Sequence, residues 1–372
     1  MYKKSVLLKA ALSALALYSA PQAFAQNTIG QDVRAVTTAV PVLTIAPDAR
    51  SAALGDAGVA LSPDANTTFW NPAKLGFVEN DMSVGFSYSP WLRNVVDDMS
   101  LNYLSGYKKL SETSAISASL MYFDLGDIQF VDENRNQIRD YNPKEYAISV
   151  AYGQALSEYF SLGIGARFIH SNLAGNVNIS GSNLESQPGN TAAVDVGVYY
   201  NRKLNQALTL AFGANISNIG GKIAYTDSAD ARSFLPTNLK VGTAVTYNLD
   251  AYNSLTFVLD GNKLLVPSPG ANSNQSVISG IFSSFGDAED GFSEEMQEVS
   301  LSTGLEYWYN SLFAARAGYF YENPNKGGRQ YLSFGIGLRY QKFGVDVAYL
   351  VPNEQSNPLA QTLRFSLALN ID

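Results

Sequence analysis

Residues 361–371, QTLRFSLALNI, decide the fold, because large apolar side chains alternate there with small or polar ones. Successive side chains of an extended strand point to opposite faces, so this segment has one apolar face and one polar face. The apolar face carries Leu363, Phe365, Leu367, Leu369 and Ile371. Segments 331–340, YLSFGIGLRY, and 145–153, EYAISVAYG, repeat the pattern. The alternation therefore predicts strands with two chemically different faces.

The small-residue faces of the predicted strands also carry scattered charges. They are Arg167, Asp195, Lys240, Glu306, Arg316, Asp346 and Arg364. A soluble sheet would expose a face rich in Lys and Glu, whereas a charge turned toward lipid at mid-depth would cost about 2–4 kcal/mol. Tyrosines near strand ends suit the interfacial girdle of a membrane barrel: Tyr88, Tyr107, Tyr152, Tyr200, Tyr247, Tyr309 and Tyr340. We therefore predict a membrane barrel with a polar lumen rather than a soluble β protein.

About fourteen such segments follow one another along the chain. They start near residues 82, 99, 115, 145, 159, 191, 207, 238, 255, 298, 312, 331, 343 and 361. An even count, with short turns alternating with long loops, is typical of single-chain bacterial outer-membrane barrels. Residues 81–372 are therefore predicted to be all-β, an antiparallel transmembrane β-barrel of about 14 strands. With the amino terminus in the periplasm, the long loops would face the cell exterior.

The first 25 residues carry the features of a cleaved secretory signal peptide. Lys3, Lys4 and Lys9 form a basic start, an apolar stretch covers 6–20, and an A-F-A site predicts cleavage after Ala25. No later run approaches the roughly 18–20 apolar residues that a spanning helix needs. The chain has no cysteine, which excludes disulfides, thiolate metal sites and a lipidated N-terminal cysteine. The mature chain would carry 22 basic and 33 acidic side chains, so nucleic acid is not an expected partner.

Residues 26–80 precede the first strand and are predicted to plug the barrel lumen. A barrel of about 14 strands is wide enough to leak unless its interior is filled. The segment is rich in Gly and Ala, and its most distinctive stretch is Trp70-Asn71-Pro72-Ala73. Pro72 ends any helix there and biases Asn71 toward an extended conformation. The alternative is an N-terminal arm that stays in the periplasm.

The Trp-Asn-Pro-Ala run, which follows GDAGVA, resembles the N-terminal hatch of the FadL superfamily of fourteen-stranded outer-membrane transporters. Within that superfamily, the chain resembles the PorV family of the Bacteroidetes type IX secretion system. The runs that carry this resemblance are spread from residue 49 to residue 340: ARSAALGDAGVALSPDANTTFWNPAKL, SYSPWLRNVVDD, GIFSSFGDAEDGFSEE, STGLEYWYN and AARAGYFYENPNKGGRQYLSFGIGLRY. The loop runs SPWLR and FSSFGDA favour this family over the fatty-acid transporters.

The resemblance implies a non-enzymatic component of protein export. PorV-like proteins associate with the type IX translocon barrel, receive secreted substrates through their C-terminal signal domains, and deliver them to a cell-surface sortase complex. The alternative is a FadL-like transporter of long-chain fatty acids or other hydrophobic compounds, which needs a continuous apolar pocket beside the hatch. The predicted lumen face is small, polar and charged, which favours a docking protein. Outer-membrane lipid and lipopolysaccharide are expected around the barrel.

Catalytic and metal-binding signals are weak throughout the chain. His170 is the single histidine and lies near the outer end of a predicted strand, with no G-x-S-x-G nucleophile motif to accompany it. The stretch from Asp132 imitates a calcium loop, but its sixth and twelfth positions are Gln137 and Pro143 instead of Gly and Glu. In the acidic stretch DAEDGFSEE, Ser293 is predicted to be a helix N-cap, with Glu294 and Glu295 in the first turn. We expect no enzyme activity, no cofactor and no metal.

Two predicted outer loops, 89–98 and 263–297, carry large apolar side chains beyond the membrane zone. Exposed apolar patches usually mark contact sites, so these loops are predicted to bind partners. The predicted contact residues are Trp91, Leu92 and Arg93 in the first loop and Ile278, Ile281, Phe282 and Phe285 in the second. The i, i+3, i+4, i+7 spacing in the second loop predicts a short amphipathic helix. The alternative is that both loops fold over the barrel mouth and cap the lumen.

Overall fold

A computed structural model shows one closed barrel of antiparallel strands. The described residues are 34–91, 98–131, 137–173, 175, 177–178, 185–226, 232–269, 274–353 and 362–372. Within them, fourteen strands form the barrel, and the ring closes where Met82 to Tyr88 pair with Ile371 to Phe365. The predicted fourteen-stranded antiparallel barrel is confirmed. The predicted signal peptide, residues 1–25, lies outside the described residues.

The strands in chain order are β1 (Met82–Pro90), β2 (Ser100–Ser111), β3 (Ser114–Asp124), β4 (Ile128–Val131), β5 (Gln137–Tyr141), β6 (Lys144–Ala155), β7 (Phe160–Asn172), β8 (Val177–Asn178), β9 (Glu185–Ser186), β10 (Gly189–Lys203), β11 (Leu208–Gly220), β12 (Ile223–Ala224), β13 (Arg232–Ser233), β14 (Asn238–Asn248), β15 (Asn253–Leu264), β16 (Ser300–Tyr309), β17 (Phe313–Tyr321), β18 (Gln330–Tyr340), β19 (Phe343–Pro352) and β20 (Leu363–Ile371). The pairs β4–β5, β8–β9 and β12–β13 form separate two-stranded hairpins, and the other strands form the barrel in chain order.

The strand positions follow the alternation in the sequence closely. Each predicted start lies within two residues of the first residue of a barrel strand. Turns of two to four residues join the strands at one end of the barrel, which we call the short-turn end. The longer connections, which include the three small hairpins and the helical segment between β15 and β16, lie at the opposite, long-loop end. The predicted alternation of short turns and long loops is therefore present.

The two faces of the wall differ as the alternation predicts. In β20, Phe365 and Leu367 are exposed on the outside, whereas Arg364 is buried on the inside. All seven charges assigned to the lumen face are buried. The assignment of Tyr107 to the interfacial girdle is wrong. Tyr107 shares the inward parity of Tyr103 and packs with residues of the N-terminal segment in the lumen.

The N-terminal segment, residues 34–81, starts at the long-loop end and leads to β1 at the short-turn end. The Arg34 amide donates to the Asn325 carbonyl oxygen (3.0 Å), and the Ala39 amide donates to the Phe234 carbonyl oxygen (2.9 Å). Both acceptors belong to long loops. A periplasmic amino terminus would place the start of the segment at the short-turn end. Residue 34 instead lies at the long-loop end, because the segment passes through the lumen before the first strand.

Short helices interrupt the N-terminal segment and the long loops. Four-residue helices cover Ala49–Ala52 (α1) and Thr67–Trp70 (α2), and 3₁₀ helices cover Pro41–Thr44, Pro72–Phe77 and Pro324–Lys326. The loop between β15 and β16 holds α3 (Val277–Ser283) and α4 (Phe292–Gln297). None of the helices in the described ranges combines the length and apolar character needed to cross a bilayer.

Local sequence signals set most helix ends. Pro72 follows Asn71, which is extended at φ −168° and ψ 106°, so α2 ends as predicted. The helix predicted over residues 278–285 forms but ends at Ser283, before Phe285. Ser293 is not the N-cap of α4. Gly291 takes that position at φ 65°, where a side chain would be strained, and Ser293 lies in the first turn.

We expect Leu367→Arg to destabilise the barrel, because Leu367 is exposed on the outer face at the middle of β20. A charge placed there costs about 2–4 kcal/mol at the bilayer midplane. The measurement is reversible unfolding in lipid vesicles, followed by the heat-dependent gel shift of the folded barrel. Leu249→Arg is the control, since Leu249 is also exposed but lies in a short turn. Equal stability of the two variants would contradict the assignment of the outer face to lipid.

Candidate functional site

The N-terminal segment is held against the inner face of the wall by hydrogen bonds from its own backbone. The Ala49 amide donates to Ser366 Oγ (2.9 Å). Asp260 Oδ2 on β15 accepts from the Gly58 amide (2.7 Å) and from the Val59 amide (3.0 Å). Buried backbone amides need partners, and here inward-facing side chains of the strands supply them. Strand side chains thus fix the path of the segment.

The four predicted residues from Trp70 to Ala73 are buried together in the lumen. Asp48 Oδ1 accepts from Trp70 Nε1 (2.6 Å), and Asp48 Oδ2 accepts from the Ser51 amide (2.9 Å). One carboxylate therefore caps α1 and anchors the indole. Asn71 Nδ2 donates to the Val198 carbonyl oxygen of β10 (2.9 Å), and Asn71 Oδ1 accepts from the Ala73 amide (3.0 Å).

The wall is adapted to this close approach of backbone to backbone. A Cβ atom added to Gly163 of β7 would lie 2.2 Å from the Ala73 nitrogen. A Cβ atom added to Gly318 of β17 would lie 2.2 Å from the Gly55 nitrogen. The inward glycines are therefore required where the segment touches the wall, because any larger side chain would displace it.

A buried ion-pair network joins α1 to four strands. The Arg50 guanidinium donates to both oxygens of Glu306 on β16, at 3.0 and 2.9 Å. Arg316 on β17 donates to the same carboxylate (2.7 Å) and to Asp346 on β19 (2.7 Å). Arg339 on β18 donates to the second oxygen of the Asp346 carboxylate (2.7 Å). Three of the predicted lumen charges, Glu306, Arg316 and Asp346, thus compensate one another and the charge of Arg50.

A cavity of about 350 Å³ lies beside the segment toward the long-loop end. Its lining residues are Thr44, Ile45, Asp56, Trp70, Trp91, Lys240, Asp260, Asn262, Ser302, Phe320, Gly327, Arg329 and Arg364. The sequence placed Lys240 and Arg364 on the inner face but gave no sign that they line one cavity. Asp260 was not singled out at all, although its inward parity in β15 was a usable signal.

Trp91 is the one predicted contact residue of the first outer loop that lies within the described residues, and it does not form an exposed surface. Trp91 is buried and packs edge-on against Phe123, with the ring centroids 6.0 Å apart. The expectation that Trp91 is an exposed contact residue is wrong. It continues the inward parity of Ser89, so its side chain points into the barrel mouth. Leu92 and Arg93 lie outside the described residues.

The second outer loop does present an apolar surface. Phe282 is 74% exposed, and Ile278 and Phe285 are also exposed, whereas Ile281 is partly buried. Two further exposed residues of the same loop extend the surface, Phe292 and Met296. We call the exposed side chains Ile278, Phe282, Phe285, Phe292 and Met296 the loop patch. Side chains this large are costly to expose to water, so the patch is a candidate contact surface.

Ion pairs fix the helical loop to the barrel rim. Lys326 Nζ lies 2.6 Å from Glu294 Oε1 and 3.0 Å from Glu298 Oε1. Lys263 Nζ at the end of β15 lies 2.9 Å from Glu295 Oε2. The hydrogen bond from Lys326 lowers the pKa of Glu294 below its ordinary value, and the Asp290 amide assists. The loop patch is thus carried by a loop with defined attachment points.

We expect Lys326→Met to loosen the helical loop, because it leaves two glutamates without their shared cation. Limited proteolysis should then cut residues 277–298 faster, while the barrel stays folded. Lys342→Met is the control, since Lys342 is exposed in a short turn. Lowering the pH should act like the mutation. The pKa of Glu294 is depressed below its ordinary value of 4.5, so its ion pair stabilises the loop fully above pH 4.5, and this contribution is lost as Glu294 is protonated at lower pH. Equal cleavage of both variants would show that the ion pairs do not hold the loop.

Two solved structures of toluene transporters share the fold of this chain. The toluene transporter TodX of Pseudomonas putida matches with a TM-score of 0.52 and 11% identity, covering 91% of this chain and 99% of that one. The toluene transporter TbuX of Ralstonia pickettii matches with a TM-score of 0.52 and 10% identity, covering 87% of this chain and 98% of that one. At this identity, the likeness concerns the fold alone.

The family comparison is more specific. The comparison with curated protein sequences gives no match. The family model described as "Type IX secretion system protein PorV" matches residues 28–271, which is more than half of the chain. The match includes the N-terminal segment and the barrel as far as β15. This closed outer-membrane β-barrel belongs to the PorV family of type IX secretion system proteins.

Proposed function

We propose that this chain is the non-enzymatic outer-membrane component of type IX secretion that takes secreted substrates from the translocon barrel and hands them to the cell-surface sortase complex. In this proposal it recognises the substrates through their C-terminal signal domains. The observation that carries the proposal is the loop patch, an apolar surface held at the long-loop end of a barrel of the PorV family. Outer-membrane lipid and lipopolysaccharide surround the apolar outer face.

The proposed orientation places the long loops outside the cell. Short periplasmic turns and long outer loops are the rule for bacterial barrels. The signal peptide, residues 1–25, would be removed during export. The loop patch would then face the extracellular partners, and the short turns would face the periplasm.

The proposed role of the N-terminal segment is to plug the lumen. Its residues from Ala46 to Ala73 are mostly buried, and inward side chains of several strands bind its backbone. A plugged barrel lets a docking protein sit in the outer membrane without forming a leak. Substrate would pass along the outer surface rather than through this lumen.

A conduit for long-chain fatty acids or other hydrophobic compounds is the alternative function. The neighbouring structures of TodX and TbuX are of transporters for toluene. The lumen cavity of this chain, however, is lined by Lys240, Asp260 and Arg364 beside its aromatic residues. Burying a hydrocarbon against such charged groups removes them further from water, which is unfavourable. The cavity chemistry therefore supports docking over hydrocarbon transport.

Catalysis is not part of the proposal. The His170 ring stacks on Tyr146, with the centroids 4.8 Å apart, and its Nδ1 hydrogen-bonds with Asn190 Oδ1 (2.8 Å). A nucleophile oriented by a base is the usual arrangement for hydrolysis, and the described contacts of His170 include no such nucleophile. The proposed role of this histidine is structural.

The loop patch can be tested by Phe282→Ser combined with Phe285→Ser, expressed in cells that lack the native copy. We expect the barrel to insert normally while secreted substrates stay unattached or remain in the periplasm, because the apolar contact is lost. Surface labelling and immunoblotting of cell fractions measure both quantities. Leu249→Ser combined with Tyr252→Ser is the matched control, as these residues are exposed in a short turn. Wild-type export and attachment in the first variant would place the docking surface elsewhere.

The plug can be tested by conductance in planar bilayers. We expect the intact protein to conduct little, and Arg50→Ala combined with Trp70→Ala to conduct more, because both anchors of the segment are lost. Deleting residues 34–80 should open a larger pore if the barrel still assembles. Lys203→Ala is the control, since this side chain is exposed at the short-turn end. A large steady conductance of the intact protein would rule out a plug.

A further inference from the structure

The outer face of the barrel wall has a depression across β1, β2, β3 and β6. The strand register places Val84, Gly106, Ala118 and Val150 next to one another in one row, and all four have outward parity. Gly106 and Ala118 stand in the middle of this row, so its floor lacks large side chains. We call the space above this row the wall depression.

Larger outward side chains border the row on both sides. They are Leu104, Leu120 and Ile148 toward the long-loop end, and Met82, Lys108 and Ile116 toward the short-turn end. All of them line the wall depression, whose volume is about 620 Å³. Ligand sites commonly measure about 300–1,000 Å³. The wall depression is therefore large enough to hold part of an elongated apolar molecule.

The wall itself sets the shape of the depression. A Cβ atom added to Gly106 would lie 2.7 Å from the Ser83 carbonyl oxygen of β1, so the pairing of β1 with β2 requires glycine there. Ala118 adds a single methyl group to the floor. The outer face of these strands lies in the hydrocarbon zone of the membrane, which contains no water. The molecule that covers the floor must therefore be apolar where it meets Gly106 and Ala118.

Lys108 places an accessible cation at the short-turn edge of the wall depression. Its side chain is exposed, and among the described residues no carboxylate oxygen lies within 4.0 Å of its Nζ. The adjacent Lys109, by contrast, donates to the Glu79 carbonyl oxygen (3.0 Å) and lies 3.6 Å from Glu112 Oε2. Tyr152 lies level with Lys108 on the outer face, and tyrosines are enriched at the height of the lipid headgroups. The ammonium of Lys108 is thus placed where lipid phosphates lie.

We propose that the wall depression binds one glycerophospholipid. Its phosphate contacts Lys108 Nζ, and one of its acyl chains crosses the floor at Gly106 and Ala118. The row of Gly106 lies two residues from Lys108 along β2, or about 7 Å, so a chain that leaves the headgroup reaches the floor directly. A plain hydrocarbon would fill the floor but leave the Lys108 ammonium without a counter-ion, whereas a phospholipid supplies both parts.

The leaflet follows from the orientation proposed above, whereas the site itself does not. With the short turns in the periplasm, Lys108 lies at the periplasmic surface of the membrane, and the bound lipid belongs to the inner leaflet. Binding of a lipid in detergent depends neither on this orientation nor on the docking role of the loop patch. The lipid site and the proposed function can therefore fail separately.

The test measures binding of two related lipids to the purified, delipidated full-length barrel in a non-ionic detergent. The probes are phosphatidylglycerol and a diacylglycerol with the same acyl chains, which lacks the phosphate. Native mass spectrometry counts the lipids that remain bound during a titration. We expect phosphatidylglycerol to bind at least ten times more tightly than the diacylglycerol. Equal binding of the two probes, or no binding of phosphatidylglycerol, overturns the proposal.

Two variants locate the site. Ala118→Leu fills the floor and should weaken binding of both probes at least tenfold, whereas Lys108→Gln removes the charge and should reduce phosphatidylglycerol binding to the level of the diacylglycerol. The controls are Ala317→Leu, on the exposed outer face of β17, and Lys203→Gln, at the exposed short-turn end, and both should bind as the wild type does. The heat-dependent gel shift shows that each barrel is folded. Unchanged binding in either Ala118→Leu or Lys108→Gln overturns the proposal.

A second experiment identifies the occupant in intact cells. A photo-crosslinking amino acid in place of Leu104, which borders the wall depression, should give a phospholipid adduct of the barrel, detected by mass spectrometry. A protein as the main cross-linked product would show that a neighbouring chain covers the wall depression, and it would overturn the proposal.

Discussion

The structure depends on closure of the hydrogen-bonded ring where β1 pairs with β20. A bilayer offers no partners to free backbone groups, so a sheet can lie in it only without edges. Closure gives the wall one face for lipid and one for the lumen, and side-chain parity then decides the environment of every strand residue. Arg364 and Leu367 are three positions apart in β20, yet one is buried in the lumen and the other faces outward.

The inside of the ring raises a second problem, which the N-terminal segment and the wall solve together. Buried backbone amides and charges both require partners. Asp260 satisfies the amides of Gly58 and Val59, and Glu306 is shared between Arg50 and Arg316. Removing one member of a buried ion pair typically costs about 3–5 kcal/mol, since the other charge is left uncompensated. The segment and the strands are thus one packed unit rather than a barrel with a loose insert.

The two ends of the barrel differ in how much structure their connections carry. Short turns leave little surface at one end, whereas the other carries α3 and α4 on a loop that Lys263 and Lys326 pin in place. The exposed apolar side chains of that loop form the loop patch, while a cavity of about 350 Å³ with charged lining residues lies in the lumen below. The outer surface and the lumen can therefore act independently.

The sequence by itself determined the strands, their count, the lumen face and the short-turn pattern, because each depends on alternation within single segments. It also placed Trp70 to Ala73 in a compact element, since Pro72 acts locally. Only the tertiary structure decided which lumen residues line the same cavity. Lys240, Asp260 and Arg364 come from three strands but line one cavity, which depends on barrel closure and on the path of the N-terminal segment. Trp91 shows the same limit, because its inward position follows from strand parity continuing past Pro90, whereas its loop composition had indicated exposure.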